Sequence, residues 1–203
     1  MRTFALALAL MLPGIALPGT ALAQGGKTMG NPAAPLRMDL FHDFTCPHCK
    51  TLHDTMLKKI IADFVTPGKA YLVFHEFSLT GQGHEHSRTA SSYAEAAARI
   101  GKYGAVSDAL FAAQSPSPSS WVFTGKVWEV VAPALTPAEQ KKVQALVNDP
   151  SIAAEVQKGI DQAMAAHVDR TPTMVVTKKG KVTPWSSWED YGLFKSWIDQ
   201  LLK

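Results

Sequence analysis

Cysteine is almost absent from this sequence. Two occur in 203 residues, and both lie in the tetrapeptide Cys46-Pro47-His48-Cys49. A small scaffold stapled by several disulfides is thereby excluded, and any cysteine chemistry is confined to one place. A strong charge of one sign is also missing. Twenty Lys and Arg against seventeen Asp and Glu leave +3, too little for a general nucleic-acid binder without a clustered patch. Charged residues make up 18% and hydrophobic residues 46%, an ordinary globular balance that argues against disorder. Long hydrophobic runs are lacking beyond the first residues, so no later stretch reaches transmembrane length.

The first residues are the exception. Arg2 precedes an apolar run from Phe4 to Leu17, and Ala21-Leu22-Ala23 is an A-x-A cleavage sequence. Pro13-Gly14 and Pro18-Gly19 break the run short of the roughly 20 residues a membrane span prefers. Residues 1–23 are therefore expected to be a cleaved secretory signal, with residues 24–203 as the mature chain. That chain is expected in the periplasm, a compartment where disulfides persist.

Gln24 to Pro35 carries Gly and Pro and reads as a loose lead-in. Leu36 to Phe44 reads as a buried strand. A helix is expected from Pro47 to about Val65, where Leu52, Met56, Leu57, Ile60, Ile61 and Phe64 recur at three- and four-residue steps before Pro67-Gly68. Ala70 to Leu79 is a second strand. Ser87 to Gln114 is alanine-rich and helical, with a break at Gly101 and Gly104, and Ser115 to Ser120 is a loop. Further helices are expected at Gly125–Val131, Thr136–Val147 and Ser151–Val168. Thr136, Pro137 and Glu139 form a capping-box pattern. Strands return at Thr173–Thr177 and Lys181–Pro184, and a helix at Glu189–Leu202 closes the chain. The order implies an α/β fold: a parallel crossover first, a hairpin last, and a helical block at about residues 85–168 between them.

The cysteine pair follows a strand and opens a helix. Cys46 falls at the helix cap, where unpaired N–H groups and the dipole favour an anion. Pro47 suits the first helical position. His48 can add positive charge beside the sulfur. Each of these lowers the pKa of Cys46 and makes it a nucleophilic thiolate. Cys49, one turn further in, is the resolving partner. A stabilised thiolate favours the reduced protein, so the disulfide passes readily to other thiols; the pair reads as an oxidant more than a reductant. Two other readings compete. An inert disulfide closing so short a loop constrains little of the unfolded chain. Half a zinc site would need two further ligands, from His42, His75, His84 or His86.

Asp43-Phe44-Thr45-Cys46-Pro47-His48-Cys49 at a strand–helix junction resembles the DsbA-like thioredoxin-fold disulfide oxidoreductases. Thr171-Pro172-Thr173, running into Met174-Val175-Val176, is a second match, and Phe74-His75-Glu76-Phe77-Ser78-Leu79 a weaker third. The resemblance spans the mature chain and implies a thioredoxin fold with an inserted helical domain. It assigns Cys46 and Cys49 to redox and His48 to tuning the potential, with Pro47 a further residue of the catalytic motif. Thr171 and a cis Pro172 become the platform on which a substrate peptide adds as a strand. It further implies thiol-containing exported protein substrates and a DsbB-like membrane redox partner.

No cofactor or metal is expected, because the dithiol carries the electrons. Nucleic acid is not an expected partner, and a monomer is. Two departures stand out. Arg170 occupies a position where many relatives have glycine, and it is expected to face solvent. Leu40 stands where many thioredoxin-fold proteins place an acid beneath the disulfide, which leaves Glu76 as the candidate acceptor for the Cys49 proton. The rival functions are a reductase or isomerase, a metal binder, and a peptide-binding chaperone that kept the fold.

Overall fold

Leu36–His42 forms strand β2, buried at every position but Arg37. Burial on both faces is what its apolar run requires of a central strand. In the computed structural model, which describes residues 26–203, β2 lies in the middle of a five-stranded sheet. The signal expected at residues 1–23 lies outside the described residues. Thr28–Met29 is β1, Ala70–Glu76 is β3, Thr173–Lys178 is β4 and Lys181–Trp185 is β5. The order across the sheet is β1-β3-β2-β4-β5. β2 and β3 pair in parallel, and the other neighbours pair antiparallel.

The register gives each face its own core. Met38 lies between Leu72 and Val176, and Leu40 between Phe74 and Met174; these side chains belong to the main hydrophobic core. The opposite parity puts Phe41 and Val175 with Ala163 and Val168 in a second, smaller core. A helix runs from Pro47 to Val65, its α-helical stretches alternating with π turns at His53–Leu57 and Ile61–Val65; we term it α1. Its Leu52, Ile60 and Phe64 enter the main core. Six further α-helices, with a 3-10 turn at Ala132–Ala134, separate β3 from β4: α2 (Ser87–Ala98), α3 (Tyr103–Ala112), α4 (Trp121–Thr124), α5 (Val127–Val131), α6 (Pro137–Leu146) and α7 (Pro150–Ala165). The last helix, α8, is Tyr191–Leu202.

Several boundaries are set by polar side chains. The capping box at Thr136 and Glu139 is formed at the start of α6. Asp149 caps α7, which starts at Pro150, one residue before the expected Ser151, and Asp190 starts α8 at Tyr191 by accepting the Gly192 N–H. β3 stops at Glu76, short of Leu79, because the Leu79 N–H goes to the Asp43 carboxylate. α7 approaches β3 closely: a Cβ on Gly159 would lie 2.4 Å from the Glu76 carbonyl oxygen.

The stretch 24–35 is not a loose lead-in throughout. β1 pairs with β3 through Thr28↔Val73 and Met29↔Leu72. Lys27 brings its ammonium onto the carboxylates of Glu76 and Glu95, which are nearly solvent-free. Two buried acids need such a cation, and that need fixes the segment. Gly30, at φ 91°, passes so near the Ala70 carbonyl that a Cβ there would sit 2.7 Å away.

Candidate active site

The end of β2 and the start of α1 place the two cysteines together. Cys46 has extended backbone angles (φ −76°, ψ 121°) as the N-cap, and Pro47 begins the helix. The Cys46 carbonyl accepts the Lys50 N–H at 3.2 Å. Both sulfurs are free thiols, with Cys46 5% and Cys49 1% exposed. The Asp43 backbone N–H points at Cys49 Sγ, 3.4 Å away. Across the sheet, the Thr171 carbonyl oxygen lies 3.5 Å from Cys46 Sγ. The Thr171–Pro172 peptide is cis, as the resemblance implied.

These contacts separate the two thiols. A hydrogen bond from the Cys49 thiol does most to lower Cys46, helped by the backbone N–H groups of Cys49 and His48, and opposed by burial; the result is about 6. Burial does most to push Cys49 well up, and the neighbouring Cys46 adds to it. Cys46 is thus the sulfur that ionises near neutrality, and Cys49 holds its proton. His48 contributes its backbone N–H to this arrangement; its side chain is exposed in an open groove.

That groove, about 1060 Å³, runs past His48, Arg170, Thr171, Pro172, Trp188 and Tyr191. Trp188 donates its indole N–H to the Pro172 carbonyl at 2.8 Å. Its place beside the proline comes from the β5–α8 connection. Arg170 is exposed and paired with Asp169.

Two further residues shape the site without a sequence signal that identifies them. Gln114, at the end of the α3 segment, donates its amide to the carbonyls of Phe44 at 2.7 Å and Cys46 at 3.2 Å. Asp43 is fully buried and accepts from the Thr45 and Leu79 N–H groups, each at 2.6 Å, and from the hydroxyls of Thr45 and Ser87. These donors and His84 hold its carboxyl below the usual range, against the effect of burial. Asp43 thereby ties the cysteine turn to the loop after β3 and to the start of α2.

Glu76 lies in register with His42 on the main-core side of the sheet. Lys27 holds it ionised in spite of its burial, whereas burial and the adjacent Glu76 push Glu95 up. His42 accepts from or donates to the Tyr103 hydroxyl at 2.9 Å. Burial keeps His42 neutral, at about 4. His42 and Cys49 line one small internal cavity. His75 turns away from the cysteines to pair with Asp39 at 2.7 Å. Among the described residues, no group of three or more His, Cys, Asp or Glu is arranged to hold a metal ion.

Comparison with known proteins agrees with this geometry. A thioredoxin family model matches residues 23–199. Disulfide bond formation protein D of Bacillus subtilis is 25% identical over 190 residues, covering 93% of this chain and 82% of the relative. A probable disulfide bond formation protein D of Bacillus cereus is 24% identical, covering 87% of this chain and 79% of the relative. Among solved structures, oxidised BdbD of Bacillus subtilis superposes with a TM-score of 0.69 at 25% identity, covering 88% of this chain and 93% of that one. The α-DsbA1 of Wolbachia pipientis shares the fold, with a TM-score of 0.68 at 18% identity over 90% of this chain and 94% of that one. With its cysteine pair at the head of α1 and a proline loop opposite, the chain belongs to the thioredoxin family, in its DsbA-like branch, and is a thiol–disulfide oxidoreductase.

Proposed function

We propose that this oxidoreductase works as an oxidase, introducing disulfides into exported proteins outside the cytoplasm. The observation that carries the direction is the separation of the two thiols, with Cys46 at about 6 and Cys49 well above its ordinary value. A stabilised thiolate favours the reduced enzyme and makes its disulfide a donor.

In the proposed cycle a substrate thiolate attacks Cys46 Sγ of the Cys46–Cys49 disulfide. The Cys46–Cys49 bond breaks, its electron pair goes to Cys49, and Cys49 takes a proton. A second substrate thiolate then attacks the substrate sulfur of the mixed disulfide. The substrate disulfide forms and Cys46 leaves as a thiolate. Thr171 and Pro172 form the platform for the substrate backbone, and the groove beside them takes its side chains. Pro47 and His48 shape the turn that presents Cys46. Glu76 is the proposed proton acceptor for Cys49 when the enzyme is reoxidised. His42, which lines the small cavity beside Cys49, stands in register with Glu76 on the neighbouring strand. A membrane redox partner, DsbB-like in role, removes the electrons. The names of the relatives, disulfide bond formation proteins, support the same direction. The leader at residues 1–23, a helical insertion at about 85–168 and a monomeric state complete the proposal.

The test is equilibration of the protein with glutathione redox buffers, followed by quantitation of oxidised and reduced forms. A potential near or above about −150 mV is expected. A potential near about −270 mV, in the thioredoxin range, would overturn the oxidase direction in favour of a reductase.

A further inference from the structure

His84 lies 39 residues from Thr45 in sequence, yet its Nδ1 is 2.6 Å from the Thr45 hydroxyl oxygen, one residue before Cys46. The hydroxyl proton has only one place to go. Asp43 is an ionised acceptor, and the Thr45 hydroxyl donates to it. The hydroxyl must therefore accept from the imidazole, so His84 carries a proton on Nδ1 and titrates at Nε2. The same Nδ1 is 3.8 Å from the Asp43 carboxylate. His84 and Pro47 line a second groove of about 730 Å³ that contains neither Thr171 nor Pro172. The turn bearing Cys46 thus has a histidine on each of two grooves: His48 on the first and His84 on the second.

We propose that His84 is a positioning residue for the redox centre: held by Thr45 and Asp43, its imidazolium is a fixed counter-charge for the Cys46 thiolate. It acts in the release step, when the mixed-disulfide bond to Cys46 breaks and the electron pair stays on Cys46 Sγ. A cation already in place needs no reorganisation at that moment. The charged groups around the imidazole are Asp43 at 3.8 Å, the adjacent Glu85 and, on the same groove, Lys50; Cys46 stands between Thr45, which His84 contacts, and Pro47, which lines the groove with it. Asp43 does most to raise the His84 pKa, against partial burial, and Cys46 raises it further. Such an interaction is reciprocal: what the thiolate does for the imidazolium, the imidazolium does for the thiolate. This assignment rests on the thiolate chemistry proposed above.

The experiment is a pH titration of the reduced protein, following thiolate absorbance near 240 nm, for wild type, His84→Gln, His84→Lys and His86→Gln. His84→Gln removes the charge and keeps an N–H for Thr45. Its Cys46 midpoint is expected to rise by about 0.3–0.5 pH unit, the size of a unit-charge interaction across several ångströms of near-aqueous medium. His84→Lys restores a cation and is expected to return the midpoint towards wild type. His86→Gln should leave it unmoved. A His84→Gln midpoint equal to that of wild type overturns the assignment. So does an equal rise in the Gln and Lys variants, which marks a structural effect on the loop. A wild-type midpoint near 8.5–9 instead defeats the underlying thiolate reading, so the two failures are distinguishable.

Discussion

Acidification of the reduced protein should remove a stabilisation that the oxidised protein never has. In the reduced state the Cys46 thiol is lowered from 9.0 to about 6. Cys46 is buried, so its environment and not bulk water sets this value. A group whose folded pKa is depressed stabilises the folded state above its unfolded pKa and loses that contribution as pH falls through the folded value. The window here runs from about pH 9 down to about pH 6. The full contribution above pH 9 is about 4 kcal/mol, at 1.36 kcal/mol per pH unit. At pH 7 the part remaining is about 1.4 kcal/mol, equivalent to about 30 mV of oxidising power. At pH 5 it is near zero. The assay is urea unfolding of reduced and oxidised protein at pH 5, 7 and 9. Groups that titrate similarly in both forms, such as Glu95 and Asp43, cancel in the difference between them. Between pH 5 and pH 7 the reduced form should gain about 1.4 kcal/mol on the oxidised form, and more by pH 9. A difference that stays constant from pH 5 to pH 7 would refute the reasoning, as would a thiolate absorbance midpoint above pH 8.

Two predictions concern the scaffold. Lys27→Met leaves Glu76 and Glu95 facing each other without their cation, and should cost about 3–5 kcal/mol in urea unfolding at pH 7. The loss should shrink as pH is lowered, because protonation then neutralises the orphaned Glu76 carboxylate, Glu95 being pushed up already by burial and by Glu76; a loss independent of pH would contradict this account. Gly159→Ala drives a methyl group onto the Glu76 carbonyl and should cost about 1–3 kcal/mol, by separating α7 from β3. Hydrogen exchange at β3 would reveal that separation, and unchanged protection there would argue against it.

The sequence by itself determined the frame and the chemistry. Apolar periodicity marked β2, α1, β4 and α8, because each must bury one face or both. Pro47 after Cys46 marked the helix start, because proline at the first turn wastes no N–H. The Cys-x-x-Cys spacing confined redox chemistry to one helical turn, and the capping pattern at Thr136 was explicit. What only the tertiary structure decided are contacts between residues far apart in the chain. Lys27 reads as part of a polar lead-in until β1 pairs with β3 and brings it to two buried acids. Asp43 lies on the opposite parity from Met38 and Leu40, whose side chains enter the main core. The bend after β2 turns it inward, where donors from Thr45, Leu79 and Ser87 converge. Gln114 and His84 lie on segments whose local pattern says only loop or helix end, yet they hold the backbone and hydroxyl beside Cys46. Side-chain periodicity reports which face of an element is buried. It carries no information about which distant polar group will meet that face, because folding alone sets that distance.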